Sequence, residues 1–263
     1  MVFGANYTVP KMIKDTVDKY PEVYAQYKRL PNNEFEPITY RDMFQYGMDF
    51  GAALISIGVK KEDKIGLISD NRAEWQQADI GIMAIGAIDV PRGCDATIID
   101  LEKILSITEA EIVIAENNSQ VQKILSIKEK LPALKKFICF ESDIKPETFD
   151  LAKENNVEII NFSEMLKIGQ KWRIENKGKV EELLEAGTGE DVATIIFTSG
   201  TTGDPKGVVL THNNFLAQLD ELPERIFVNP GDKALSVLPI WHVFEREVEY
   251  VIMIQAGTIC YSK

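Results

Sequence analysis

From residue 36 onward, short β-branched runs alternate with amphipathic segments, and this rhythm predicts an α/β architecture with largely parallel strands. Between Tyr40 and Gly58 the apolar residues Phe44, Met48, Ala52 and Ile55 recur at helical spacing, and Gly58 stands where a helix C-cap belongs. Lys64–Ser69 reads as a buried strand, and Asp70-Asn71 as the turn into a helix from Ala73 to Gly86. Ile88–Pro91 follows as a short strand. Leu101–Thr108, Glu111–Ala115, Gln120–Lys130 and Lys136–Phe140 continue as helix, strand, helix, strand. A strand at Val157–Ile160 and a helix at Phe162–Trp172 complete the first part. Between Ile174 and Asp191 charge rises and periodicity weakens, which predicts a helix and surface linker outside the core. Beyond it, Thr194–Phe197 and Val208–Leu210 are strands around a loop, and Thr211 suits the N-cap of a helix over Asn213–Leu219. Ala234–Leu238, Val243–Gln255 and Thr258–Tyr261 read as strand, helix, strand. The expected division is an α/β subdomain over 1–175, a linker over 176–191, and the start of a second α/β subdomain over 192–263.

The loop between those two strands carries the densest chemistry. Thr194-Ile195-Ile196-Phe197 feeds into the hydroxyl residues Thr198, Ser199, Thr201 and Thr202; Gly200 and Gly203 free the backbone, and Lys206 adds a cation. A phosphate needs this combination of unblocked N–H groups, short hydroxyl donors and a positive charge on a flexible stem. The spacing is not that of a Walker A loop, because Lys206 follows Pro205 and precedes Gly207. Nor is it G-x-G-x-x-G, since Gly200 and Gly203 give only G-x-x-G. A Ser/Thr/Gly-rich turn that binds nothing has the same composition. What distinguishes this one is its order, from β-run through SGTTG to Pro-Lys-Gly.

Composition narrows the field. With 29 basic against 41 acidic residues and a net charge of −12, a general nucleic-acid surface is not expected. A local cluster of donors can still hold a nucleotide within an acidic field. Cys94, Cys139 and Cys260 are odd in number and widely spaced, and His212 and His242 are the only histidines. Free thiols in a reducing compartment are expected, not a zinc site. Met1–Pro10 lacks the basic flank and apolar core of a secretory signal. Ile80–Val90 and Val251–Tyr261 fall short of the about twenty residues that span a bilayer. A soluble, cytoplasmic protein is expected.

The string TSGTTGDPKG resembles the phosphate-loop signature of the adenylate-forming enzymes: acyl-CoA synthetases, luciferases and peptide-synthetase adenylation domains. Within that superfamily the chain is most similar to the long-chain fatty-acid–CoA ligases. Ile38-Thr39-Tyr40-Arg41, Asn71-Arg72-Ala73-Glu74-Trp75 and Leu238-Pro239-Ile240-Trp241-His242-Val243-Phe244-Glu245-Arg246 carry that likeness. It runs over essentially the whole chain, though a complete family member is more than twice this length.

The resemblance implies ATP-dependent activation of a long-chain fatty acid through an acyl-adenylate, followed by transfer to coenzyme A. It implies that Ser199, Gly200, Thr201, Thr202, Gly203 and Lys206 hold the ATP phosphates, with Lys206 the catalytic cation, and that Thr198 also helps hold Mg²⁺. Trp241 and His242 are expected beside the acyl pocket; a core aromatic and a helix-start histidine are the alternative. The family's downstream glutamate, ribose-binding aspartate and C-terminal lysine are absent, so this N-terminal portion is expected to be inactive alone. A nucleotide-binding module without catalysis, or a ligase for another carboxylic acid, stays open, as do peripheral membrane contact and oligomeric state. Glu245 and Arg246 are expected to pair locally along their helix, His212 to start a helix, and Arg72 and Trp75 to serve packing and surface roles. Arg92-Gly93-Cys94 departs from the family's usual Tyr/Thr-containing segment, so no role transfers there.

Overall fold

The computed structural model describes residues 3–30, 32–198 and 205–262. In chain order the elements begin with α1 (Val9–Lys19), β1 (Tyr24–Arg29), β2 (Phe35–Thr39), α2 (Tyr40–Ser56), β3 (Lys64–Ile68), α3 (Ala73–Ala84) and β4 (Ile88–Arg92). They continue with α4 (Ile98–Thr108), β5 (Ile112–Ala115), α5 (Asn118–Leu125), β6 (Lys136–Cys139), α6 (Pro146–Glu154), β7 (Glu158–Asn161), α7 (Phe162–Glu175) and α8 (Lys179–Ala186). β8 (Val192–Thr198), β9 (Lys206–Thr211), α9 (His212–Leu219), β10 (Lys233–Leu235), α10 (Val243–Ile254) and β11 (Thr258–Cys260) complete the chain. Helix starts follow local chemistry. The Thr39 hydroxyl accepts from the Asp42 amide at α2, and Thr97 with Asp100 forms a reciprocal capping box at α4.

Among the described residues the strands make two sheets. The larger has the order β7-β6-β5-β3-β4-β8-β9, and its pairs are parallel except for β9, which returns antiparallel along β8. The smaller has the order β10-β11-β1-β2. A fully apolar run such as Ile112–Ala115 suits a parallel strand covered on both faces. Helix α3 is buried along its whole length, packed against α1, α2, α8 and strands β1 and β4, and hydrogen-bonded to α10 through Gln76 and Asp79. This is the mixed α/β architecture that the alternation predicts.

Two features differ from expectation. The charged segment before β8 contains α8, whose Val180 and Leu184 lie in the main core. It is tied to α1 by the Lys11 ammonium, which donates to the carbonyls of Asn6, Glu185 and Gly187 at 2.7, 2.8 and 2.9 Å. Both sheets also combine strands from either side of residues 176–191. Helices α2 and α7 cross closely because Gly169 has no side chain: a Cβ there would collide with the carbonyl oxygen of Asp49.

Candidate functional site

Strands β4 and β8 are parallel neighbours with Asp89 opposite Thr194, so Arg92 and Thr198 finish at the same edge of the sheet. Open α/β sheets bind ligands at that carboxyl-end edge. Strand β9 then turns back, placing Lys206 directly opposite Thr198, and both side chains are exposed. The expected phosphate-binding residues Ser199, Gly200, Thr201, Thr202 and Gly203 lie outside the described residues, as does Asp204.

Trp241 and His242 lie just before α10. The Trp241 ring carries the Arg92 guanidinium over its face, 4.5 Å from the centroid. Gly93 lies against the indole, and a Cβ at that position would collide with Nε1. His242 is the N-cap of α10: its Nδ1 accepts from the Phe244 amide at 3.3 Å, while the ring stays exposed. A cavity of about 350 Å³ opens beside Trp241, lined in part by Asp70, Asn71, Asp95 and Ser236.

The segment leading to Trp241 is pinned by Asn71, in the turn between β3 and α3. Its Nδ2 donates to Ser236 Oγ and to the Leu238 carbonyl, both at 2.6 Å, and its Oδ1 accepts from the Ile240 amide at 3.0 Å. The Ser236 hydroxyl in turn donates a hydrogen bond to Glu249 Oε1 at 2.7 Å, and Gln76 and Tyr261 donate to Oε2. Burial pushes the Glu249 carboxyl up to about 7.

The expected local pairing of Glu245 with Arg246 is not what forms. Glu245 turns back to accept from the Val237 amide at 3.2 Å. Arg246, fully buried, donates to Asp79 and to Asp89, with Nη2 2.8 Å from Asp89 Oδ2. Its Nε donates to Tyr250 at 2.8 Å, and Thr194 donates to Asp89 at 2.9 Å. Helix α10 packs its Arg246 face inward, so the cation meets acids from α3 and β4. Burial, opposed by Arg246 and reinforced by Asp89, holds the Asp79 carboxyl above its usual range.

Trp75 is a core aromatic, and Arg72 bridges Glu74 and Glu141. Cys94 lies beside Asp70 and Glu116; burial and those two carboxylates push its thiol well up, away from nucleophilic reactivity. Sequence reasoning missed two residues. Asn71 had a signal, an amide in a strand-to-helix turn, but its partners lie more than 160 positions downstream. Arg92 had one too, a cation closing an apolar strand.

A largely parallel sheet with the β8–β9 hairpin and the Trp241 segment at its carboxyl edge places this chain among the open-sheet α/β proteins. Residues 13–263 match the family described as AMP-binding enzyme, and the chain belongs to that family. It is 34% identical over 254 residues to "Probable acyl-activating enzyme 16, chloroplastic" of Arabidopsis thaliana, covering 93% of this chain and 34% of that protein. It is 31% identical to the long-chain-fatty-acid–[acyl-carrier-protein] ligase AEE15 of the same plant, covering 93% of this chain and 33% of the relative. Long-chain-fatty-acid–CoA ligase 4 of Saccharomyces cerevisiae is 28% identical, with coverage of 97% and 38%. The chain therefore spans about a third of the length of these relatives. The fold matches the adenylation domain of a carboxylate reductase from Mycobacterium chelonae at a TM-score of 0.77 and 18% identity, over 97% of this chain and 42% of that one. Among the described residues, no helix is long and apolar enough to cross a membrane.

Proposed function

We propose that this chain carries the phosphate-gripping part of a fatty-acid-activating ligase. The observation that supports it is the β8–β9 hairpin, which sets the Thr198 hydroxyl and the Lys206 ammonium opposite each other at the carboxyl edge of the sheet. The ligand is ATP: Ser199, Thr201, Thr202 and the amides of Gly200 and Gly203 bind its outer phosphates, with Lys206 at the γ-phosphate. Oriented donors at a leaving pyrophosphate lower the barrier by positioning and electrostatics. Mg²⁺ takes oxygen ligands and keeps several waters. Thr198, an exposed hydroxyl, would supply one of its oxygen ligands, shared with a glutamate that this chain does not contain. When bound, the ion neutralises phosphate charge. Trp241 and the adjoining cavity take part of the acid, a long-chain fatty acid as in the relatives' names, and His242 borders it. Coenzyme A is the thiol acceptor of the full-length enzyme.

The chain alone binds nucleotide without completing thioester formation. Calorimetry with ATP and Mg²⁺ tests this. Lys206→Ala removes charge-assisted hydrogen bonds and is expected to weaken affinity by roughly 10–100-fold. No binding to the unaltered chain at millimolar ATP would overturn the reading. Steady acyl-CoA production from palmitate, ATP and coenzyme A would overturn the inactivity of this portion and leave the ligase assignment standing.

A further inference from the structure

Arg92 is placed unlike the other inward-lying arginines among the described residues. Arg72, Arg173 and Arg246 each pair with carboxylates. Among the described residues Arg92 forms no such ion pair, and its Nε is buried without a hydrogen-bond partner. A guanidinium stays charged and offers five N–H donors in a rigid fork. Leaving one of those donors desolvated and unanswered costs free energy. Stacking on Trp241 offsets part of that cost and fixes the plane of the group, but it satisfies none of the N–H bonds.

Position supplies the rest. Arg92 ends β4 beside β8, and the register of Asp89 with Thr194 brings it to the edge where Thr198 and Lys206 face each other. Gly93 keeps the indole seated against this point, because any larger residue would displace it. A held, half-buried cation at a ligand-binding edge lacks one thing, an anionic acceptor.

We propose that Arg92 binds an oxyanion of the substrate, a carboxylate or a phosphate, through its Nε edge while Trp241 supports its face. This rests on the ligase reading above and adds a contact that the phosphate loop does not supply. Planar forks match two-oxygen acceptors, which a lysine cannot do.

Calorimetry on the full chain separates the two sources, using ATP with Mg²⁺ in one arm and dodecanoate in the other, with dodecan-1-ol as the uncharged control. Arg92→Met is expected to weaken one of the two anions by roughly 10–100-fold while leaving dodecanol unchanged. A loss confined to ATP identifies a phosphate; a loss confined to dodecanoate identifies the carboxylate. Arg92→Lys keeps the charge and removes the fork, so it is expected to show most of the loss, and it carries the test if Arg92→Met does not fold. Unchanged affinity for both anions overturns the proposal. Should Lys206→Ala lose ATP while the Arg92 variants lose nothing, Arg92 fails and the ligase reading stands. Should the native chain bind no ATP, that reading fails, and the ratio of dodecanoate to dodecanol affinity still decides for or against Arg92.

Discussion

His212 opens α9 only 2% exposed, with its Nδ1 accepting from the Val9 amide at 3.3 Å. Burial lowers its pKa from 6.5 to about 4, so the folded protein keeps the imidazole neutral where the unfolded chain would protonate it. Between those values the unfolded state binds more protons, and stability falls as pH drops through the window. The contribution lost is about 3 kcal/mol. Urea denaturation at pH 7 and pH 4 measures it: His212→Gln is expected to lack this share of the acid loss, so the two proteins' pH slopes should diverge. Thr211 announced that a helix begins here. Nothing local announced Val9, because the bond joins residues 203 positions apart. Arg246 is the same lesson with charge. Its neighbour Glu245 suggested a local pair, yet its acids come from α3 and β4. Side-chain partners at long range are set by packing, which periodicity does not carry.

Elements fared better where one physical signal dominated. Helix α2 is legible because its apolar positions keep a helical period that Gly58 ends, and strands β3 to β6 because they are short, largely apolar runs between polar segments. Strand β2 is short and interrupted by Pro37, whereas α1 does carry Val9, Met12, Ile13 and Val17 at helical spacing, a signal that an alternation read from residue 36 onward leaves out. Helix α8 resembles a linker in composition, yet Val180 and Leu184 fill the core. The crossing of α2 over α7 depends on backbone approach at Gly169, which no hydrophobic pattern reveals. Gly169→Ala forces these helices apart, and overpacking of this kind costs about 1–3 kcal/mol. Equilibrium unfolding is expected to show a lower urea midpoint with an unchanged slope.

At the scale of the molecule, the sequence carries the fold class and the position of the hairpin, but not the way the two sheets share their strands. Residue 27 lies opposite residue 260: β1 is flanked by β2 on one side and by β11 on the other. Pairings this distant in sequence slow folding, because loop closure must precede the reward of contact. On the ribosome β1 therefore keeps one bare rim until residues 258–260 have emerged. Stalled nascent chains that stop short of Thr258 should be cut by protease near Tyr24–Arg29. Release of a chain carrying β11 should abolish that cleavage. Strand β11 thus seals the rim of a strand made long before it, and holdase chaperones have the interval between the two in which to act.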